Sequence, residues 1–243
     1  MKKYLTLIFA LSLFIQCKSQ INWNKVKKQA NQVINTGQGG LTNEEIISGL
    51  KEALTVGSNN ASSLASKTDG YFKNPKIFIP FPPEAKQVEA KLRQLGFGNK
   101  VDQFNLTLNR AAEEAAKKAA PIFVDAVKGM TITDGLSILK GGDNAATNYL
   151  KTNTNTALTT AFTPVVKAAL DKTLATKYWT DLVTIYNKVP GVKKVNPNLT
   201  QYATTKAIDG LFLLVGDEEA KIRKDPAARV SDILKKVFAN AGK

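Results

Sequence analysis

The sequence predicts an all-α protein: a single compact multi-helix domain of about eight to eleven helices, preceded by a signal peptide and a short tether. Three observations carry that reading. Apolar residues recur at offsets of three and four in segment after segment, which is the spacing of a helix face. Helix-start chemistry recurs as well, as Thr followed three residues later by an acid, as Asp at a cap, or as proline at a first helical position. No two-residue alternation lasts long enough to argue for a strand. A hydrophobic content of 43% is sufficient to fill a core, so disorder is not expected.

The chain opens with Lys2 and Lys3, an apolar run from Tyr4 to Ile15, and then Cys17, its one cysteine. A basic start, a short apolar middle and a processing point make the pattern of a secretory signal peptide. The run is about half of the roughly 20 residues needed to span a bilayer, so a stop-transfer helix is not expected. Residues 1–16 are therefore read as signal peptide, 17–40 as tether and 41–243 as the helical domain. This places the protein outside the cytoplasm, in the periplasm or at the outer membrane. Cys17 is a candidate lipidation site because it falls where the apolar region ends. Gln16 is larger than the Gly, Ala or Ser expected before a lipidated cysteine, so cleavage near Ser19 or Gln20 with loss of Cys17 stays open. The tether ends in Asn35-Thr36-Gly37-Gln38-Gly39-Gly40, which has little to bury.

Leu41-Thr42-Asn43-Glu44-Glu45-Ile46 predicts the first helix of the domain, with Thr42 and Glu45 as a capping box and Leu41 and Ile46 as a hydrophobic staple. Ile46, Leu50 and Leu54 line its face, and Gly57 predicts its end. A short helix over Asn60 to Lys67 follows. Asn74-Pro75 and Pro80-Phe81-Pro82-Pro83 then break regular structure, so Ile77, Phe78, Ile79 and Phe81 are expected as an extended segment on the core or as an apolar lip. Pro82 and Pro83 open a helix with Val88, Leu92 and Leu95 on one face, ended by Gly96 and Gly98.

An Ala-rich helix is expected from about Asn99 to Ala120, and Pro121 opens the next, carrying Ile122, Phe123 and Val127. Thr131 to Asp134 is a capped start, Gly141-Gly142 a turn, and Asp143 a cap for a helix through Leu150. Thr152 to Thr160 argues weakly for helix because it is rich in Thr and Asn. Pro164 suits a first turn ahead of Val165, Val166 and Leu170. Trp179, Leu182, Val183 and Tyr186 repeat at helical spacing. The clearest stripe is Leu199, Tyr202, Ala203, Ala207, Gly210, Leu211, Leu214 and Val215. Asp225 and Pro226 begin a last helix with Val230, Ile233, Leu234, Val237 and Phe238 inward.

The formal charge is +14, from 34 basic and 20 acidic residues. An exported protein that loses Lys2 and Lys3 with its signal peptide keeps +12 (14 − 2) and meets anionic lipid head groups and acidic polymers, so an anionic membrane surface is a candidate partner and nucleic acid is not expected. Lys221, Arg223, Lys224 and Arg229 form the one local basic cluster singled out. The chain has no histidine, which excludes a Ser-His-Asp triad, a Cys-His pair and a histidine-based zinc site. Gly37-Gln38-Gly39-Gly40 lacks the lysine of a P-loop, and Asp134 and Asp143 lack the ligand spacing of a calcium loop. No metal or cofactor is expected.

The candidate binding residues are Asn109, Arg110 and Glu113. On a helix Arg110 can pair with Glu113 or Glu114, as a structural network or as a two-point grip on a phosphate or carboxylate. Tyr178-Trp179 and Tyr71-Phe72 are candidate ligand-lining pairs, with burial in the core as the alternative.

Several motifs together carry a resemblance. They are Glu45-Ile46 with Gly49-Leu50-Lys51-Glu52-Ala53-Leu54, Asn109-Arg110-Ala111-Ala112-Glu113 leading to Pro121-Ile122-Phe123, and Met130-Thr131 with Gly141-Gly142-Asp143-Asn144-Ala145-Ala146-Thr147. Ala207-Ile208-Asp209-Gly210-Leu211-Phe212 and Ile222-Arg223-Lys224-Asp225-Pro226 complete them. From about Leu41 to Phe238 the chain resembles an all-helical family of exported bacterial envelope proteins known as a domain of unknown function. The resemblance implies an envelope location and a helical domain, and no activity. The leading expectation is a non-enzymatic module that binds a lipid-like or other amphipathic ligand. The alternative is a scaffold for another envelope protein, and the third reading a carboxylate-dependent hydrolase built on Glu113 with Asp102 or Asp134. An apolar cavity of roughly 300 Å³ or more favours a ligand, and a flat apolar patch favours a protein partner.

Overall fold

The computed structural model describes residues 42–188, 190–225 and 235–237. The expected signal peptide and tether, Cys17, Leu41 of the expected staple and most of the last expected helix lie outside the described residues. Along the chain come α1 (Asn43–Ser66), a 3-10 turn (Pro83–Ala85), α2 (Lys86–Gln94), α3 (Gly98–Ala116), α4 (Ala119–Lys128), α5 (Ile132–Lys140), α6 (Ala145–Lys172), α7 (Ala175–Tyr186) and α8 (Leu199–Lys224). The fold is all-α, with no strand among the described residues. Helix α6 lies at the centre, with α8, α3, α4 and α7 against it, while α1 packs on α8, α4 and α3.

Helix α1 starts as its sequence dictates. Thr42 Oγ1 accepts the Glu45 N–H at 3.2 Å, and the Glu45 carboxylate accepts the Thr42 N–H at 2.8 Å. The helix does not end near Gly57. It runs through to Ser66 and absorbs the separate helix expected at Asn60–Lys67. Gly57 serves the packing instead: a Cβ there would lie 3.4 Å from Glu218 Cβ, so glycine lets α8 cross closely. Asn60 donates to Glu218 at 2.9 Å beside that crossing.

Between α1 and the 3-10 turn the chain has no regular secondary structure, yet Tyr71, Ile77, Ile79 and Phe81 are buried. The segment is part of the core rather than a free lip. Gly70 allows its first turn. A Cβ at Gly70 would sit 2.4 Å from the Leu64 carbonyl oxygen and 2.6 Å from that of Ala65. Both are backbone atoms that cannot swing aside, so Gly70→Ala is expected to cost about 3 kcal/mol or more. A lower urea midpoint at unchanged m-value checks this, and an unchanged midpoint would show that the turn relaxes at little cost.

Leu95 departs from expectation. Helix α2 stops at Gln94, Gly96 takes a left-handed φ of 86°, and Leu95 stands 60% exposed. The Ala-rich helix expected to Ala120 breaks at Lys117–Lys118, and α4 begins at Ala119 with Pro121 as its third residue. Proline lacks the N–H that would bond to Lys117, and its ring clashes with that carbonyl, so α3 cannot continue.

Helix α6 holds two further corrections. The Thr- and Asn-rich stretch is helical throughout, and Pro164 lies in the helix interior rather than in a first turn. The buried residues Ala146, Leu150, Thr154, Leu158, Phe162, Val166 and Leu170 recur every fourth position. Each step of four advances about 40° around a helix of 3.6 residues per turn, so the buried set spirals round the axis instead of forming a stripe. A helix surrounded by neighbours can bury such a spiral. The threonine hydroxyls are satisfied locally, with Thr159, Thr160 and Thr163 each donating to the carbonyl four residues back at 2.7–3.0 Å.

The cap of α6 also differs from expectation. Asn144, not Asp143, occupies the N-cap, in a left-handed conformation with no side-chain cap bond. Glu219 of α8 caps the helix from outside, accepting the Ala146 and Thr147 N–H groups at 3.0 and 2.8 Å. By contrast, α5 starts on the expected capping box, Thr131 with Asp134, and α8 carries its expected stripe.

Candidate functional site

The residues singled out on α3 face the irregular segment before the 3-10 turn. Asn109 is fully buried. Its Oδ1 accepts the Ile79 N–H at 2.8 Å, and its Nδ2 donates to the Ile79 and Asn105 carbonyls, each at 2.8 Å. One turn on, Glu113 Oε1 accepts the Tyr71 and Phe72 N–H groups, both at 3.1 Å. Its Oε2 accepts from Arg110 Nη1 at 2.6 Å. Arg110 Nη2 reaches Asp69 at 2.6 Å, and the guanidinium lies 5.7 Å from the centre of the Phe72 ring. Asp69, at φ 66°, also pairs with Lys73 at 2.8 Å.

These contacts supply the partners that an irregular backbone lacks. The Glu113 carboxylate holds the Arg110 guanidinium above its usual pKa, with Asp69 adding to the effect. Lys73, and then Arg110, hold the Asp69 carboxyl below its ordinary range. Two acids and two bases balance in this cluster, and both terminal nitrogens of Arg110 already serve carboxylates. The geometry therefore favours a backbone anchor over an anion grip.

The other candidates are also engaged. Asp102 pairs with Arg93 at 2.9 Å, Glu114 with Lys117 at 2.5 Å, and Asp134 serves the α5 cap. Tyr71 is core, donating its hydroxyl to the Ala207 carbonyl at 2.6 Å, and burial pushes its pKa far up. Within the basic cluster Lys221 pairs with Glu218, Arg223 with Glu219 and Lys224 with Asp143. Arg229 lies outside the described residues.

A groove between α2, α3 and α7 offers more. Phe81, Phe104 and Trp179 form its floor, with ring centroids 5.0, 5.4 and 5.8 Å apart. Trp179 is locked by its Nε1 donating to the Asn196 carbonyl at 3.2 Å. Leu92, Val101, Ala175 and Leu182 make the walls of a space of about 600 Å³. Lys100, Gln103, Thr107, Thr173 and Tyr178 supply its polar atoms, and no carboxylate among the described residues lines it. The helices and connections that build the groove also carry exposed Leu95, Phe97, Leu174, Tyr178 and Ile185. Of the two aromatic pairs named from sequence, Tyr178-Trp179 lines this groove and Tyr71-Phe72 does not.

Sequence reasoning missed Lys100 and Phe104. Lys100, Gln103, Phe104 and Thr107 share one face of α3 by their offsets of three and four, so that face was readable. That no described helix covers its outer side was not.

Residues 40–239 match the family described as "Protein of unknown function (DUF4197)". The chain belongs to this family. The match covers the same stretch as the motifs that carried the resemblance. No curated protein and no solved structure matches the DUF4197 chain. Among its described residues no helix is long and apolar enough to cross a membrane, and no group of acids and cysteines is placed to hold a metal ion.

Proposed function

We propose that the protein is an exported, non-enzymatic binding module that holds a lipid-like or other amphipathic ligand in the groove between α2, α3 and α7. The observation that carries this reading is an apolar space of about 600 Å³ with a three-ring floor. Such a space falls within the range of small-molecule sites and is too large to be a packing defect. Rigid aromatic rings give an alkyl chain a large contact area at little entropic cost. The signal-like start, with Cys17 as a candidate anchor, supports an envelope location.

Native mass spectrometry of the protein purified gently from its own cell envelope, with solvent extraction of what is bound, tests the reading. The expected result is a reproducible amphiphile that is lost in a Phe104→Glu variant whose helical circular dichroism is unchanged. A groove that is empty in both would overturn it.

The scaffold reading draws on the exposed Leu95, Phe97 and Ile185, which no described helix covers. Co-purification of one envelope protein, abolished by Phe97→Asp and untouched by Phe104→Glu, would favour that alternative. The carboxylate-hydrolase reading is the weakest, because Glu113, Asp102 and Asp134 are each held by other groups.

A further inference from the structure

The polarity of the groove says more about its occupant than its size does. Lys100, Gln103, Phe104 and Thr107 occupy successive turns along one face of α3. Lys100 lies in the first turn, where the helix N-terminus adds partial positive charge. It has no ion-pair partner among the described residues, although its neighbours do: Arg93 is held by Glu89 and Asp102, and Lys177 by Asp181. Among the described residues Lys100 is the one charged residue lining the groove. The space is thus an apolar trough with a single uncompensated ammonium at its edge.

We infer that the groove takes an anionic single-chain amphiphile, whose head group meets the Lys100 ammonium and whose alkyl chain lies on Phe81, Phe104 and Trp179. The inference rests on the proposed ligand-binding role and narrows it to one charge class. A cationic amphiphile would meet like charge at Lys100, and a neutral one would gain no charge-assisted bond from it. Gln103, one turn along, can donate its amide N–H to a second oxygen of the same head group, while the Thr107 hydroxyl already donates to the Gln103 carbonyl at 2.9 Å. One ammonium at an open edge is screened by water, so its share is modest and the chain supplies most of the affinity.

The experiment uses the full chain carrying Trp23→Phe, so that Trp179 is the only tryptophan and reports on the groove. Decanoate, decanol and decyltrimethylammonium are titrated below their aggregation limits, against Lys100 and against Lys100→Gln and Lys100→Glu. Lys100→Gln is expected to weaken decanoate about five- to tenfold while leaving decanol unchanged. Lys100→Glu is expected to weaken decanoate further and to strengthen decyltrimethylammonium. If Lys100→Gln leaves decanoate unchanged, or weakens decanoate and decanol alike, the charge assignment is overturned while the groove as a ligand site stands. If no ten-carbon chain changes Trp179 emission in any variant, the proposed ligand site falls with it.

Discussion

Replacing Glu219 by alanine is expected to destabilise the protein by about 3–5 kcal/mol, the usual cost of removing one partner of a buried ion pair. Glu219 is buried, and both carboxylate oxygens are in use. Oε1 accepts the Ala146 N–H at 3.0 Å and the Arg223 Nε at 2.9 Å, while Oε2 accepts the Thr147 N–H at 2.8 Å and its hydroxyl at 2.7 Å. Arg223 in turn donates to the Ile138 carbonyl at 3.0 Å and the Gly141 carbonyl at 3.4 Å, at the end of α5. One ion pair on α8 therefore satisfies the last carbonyls of α5 and the first amides of α6, groups that helix geometry leaves without partners. The carboxylate also sits at the positive end of α6, and the guanidinium at the negative end of α5. Alanine strips all of this at once and leaves Arg223 beside an apolar crossing. Glu219→Gln keeps the shape and loses the charge, so about half of the effect is expected. Urea unfolding followed by circular dichroism measures both. A loss under about 1 kcal/mol for Glu219→Ala would mean that water replaces the carboxylate at little cost.

The second large effect is an asymmetry within the α3 network. Glu113→Ala is expected to cost about 3–5 kcal/mol, because it orphans the buried Tyr71 amide and the half-buried Phe72 amide and unpairs Arg110. Arg110→Ala is expected to cost about 1 kcal/mol or less, since that side chain is 39% exposed and its pairs are partly screened by water. Glu113 would keep both backbone donors after the arginine is lost. Equal losses for the two variants would show that the ion pair, not the backbone anchoring, is what matters. Unchanged stability in Arg110→Ala together with loss of a bound anionic ligand would return Arg110 to the list of binding residues.

How much was readable in advance followed the distance over which each interaction acts. The capping boxes of Thr42 with Glu45 and Thr131 with Asp134 involve residues three apart, so the sequence displays both partners. The α8 stripe was readable for the same reason. Gly57 and Pro164 misled because each signals a local penalty of about 1–3 kcal/mol, which packing along a long buried helix outweighs. The spiral on α6 was invisible to a search for one apolar face, since its period is four rather than 3.6 residues. Asn109 and Glu113 stood out as polar residues in an Ala-rich helix. Their partners at Ile79, Tyr71 and Phe72 are 30 to 42 residues away and are backbone atoms, which carry no sequence signature.

By itself the sequence determined the helical class, most helix starts, the missing histidine chemistry and the family to which the chain belongs, because propensity, capping and side-chain inventory are local quantities. Only the tertiary structure decided which helix ends are capped by remote side chains, as Glu219 caps α6 from 72–73 residues away. It alone also brought Phe81, Phe104 and Trp179 to one floor, with a groove above them that no described helix covers. A groove is the surface that packing fails to cover, and that depends on where every other helix lies.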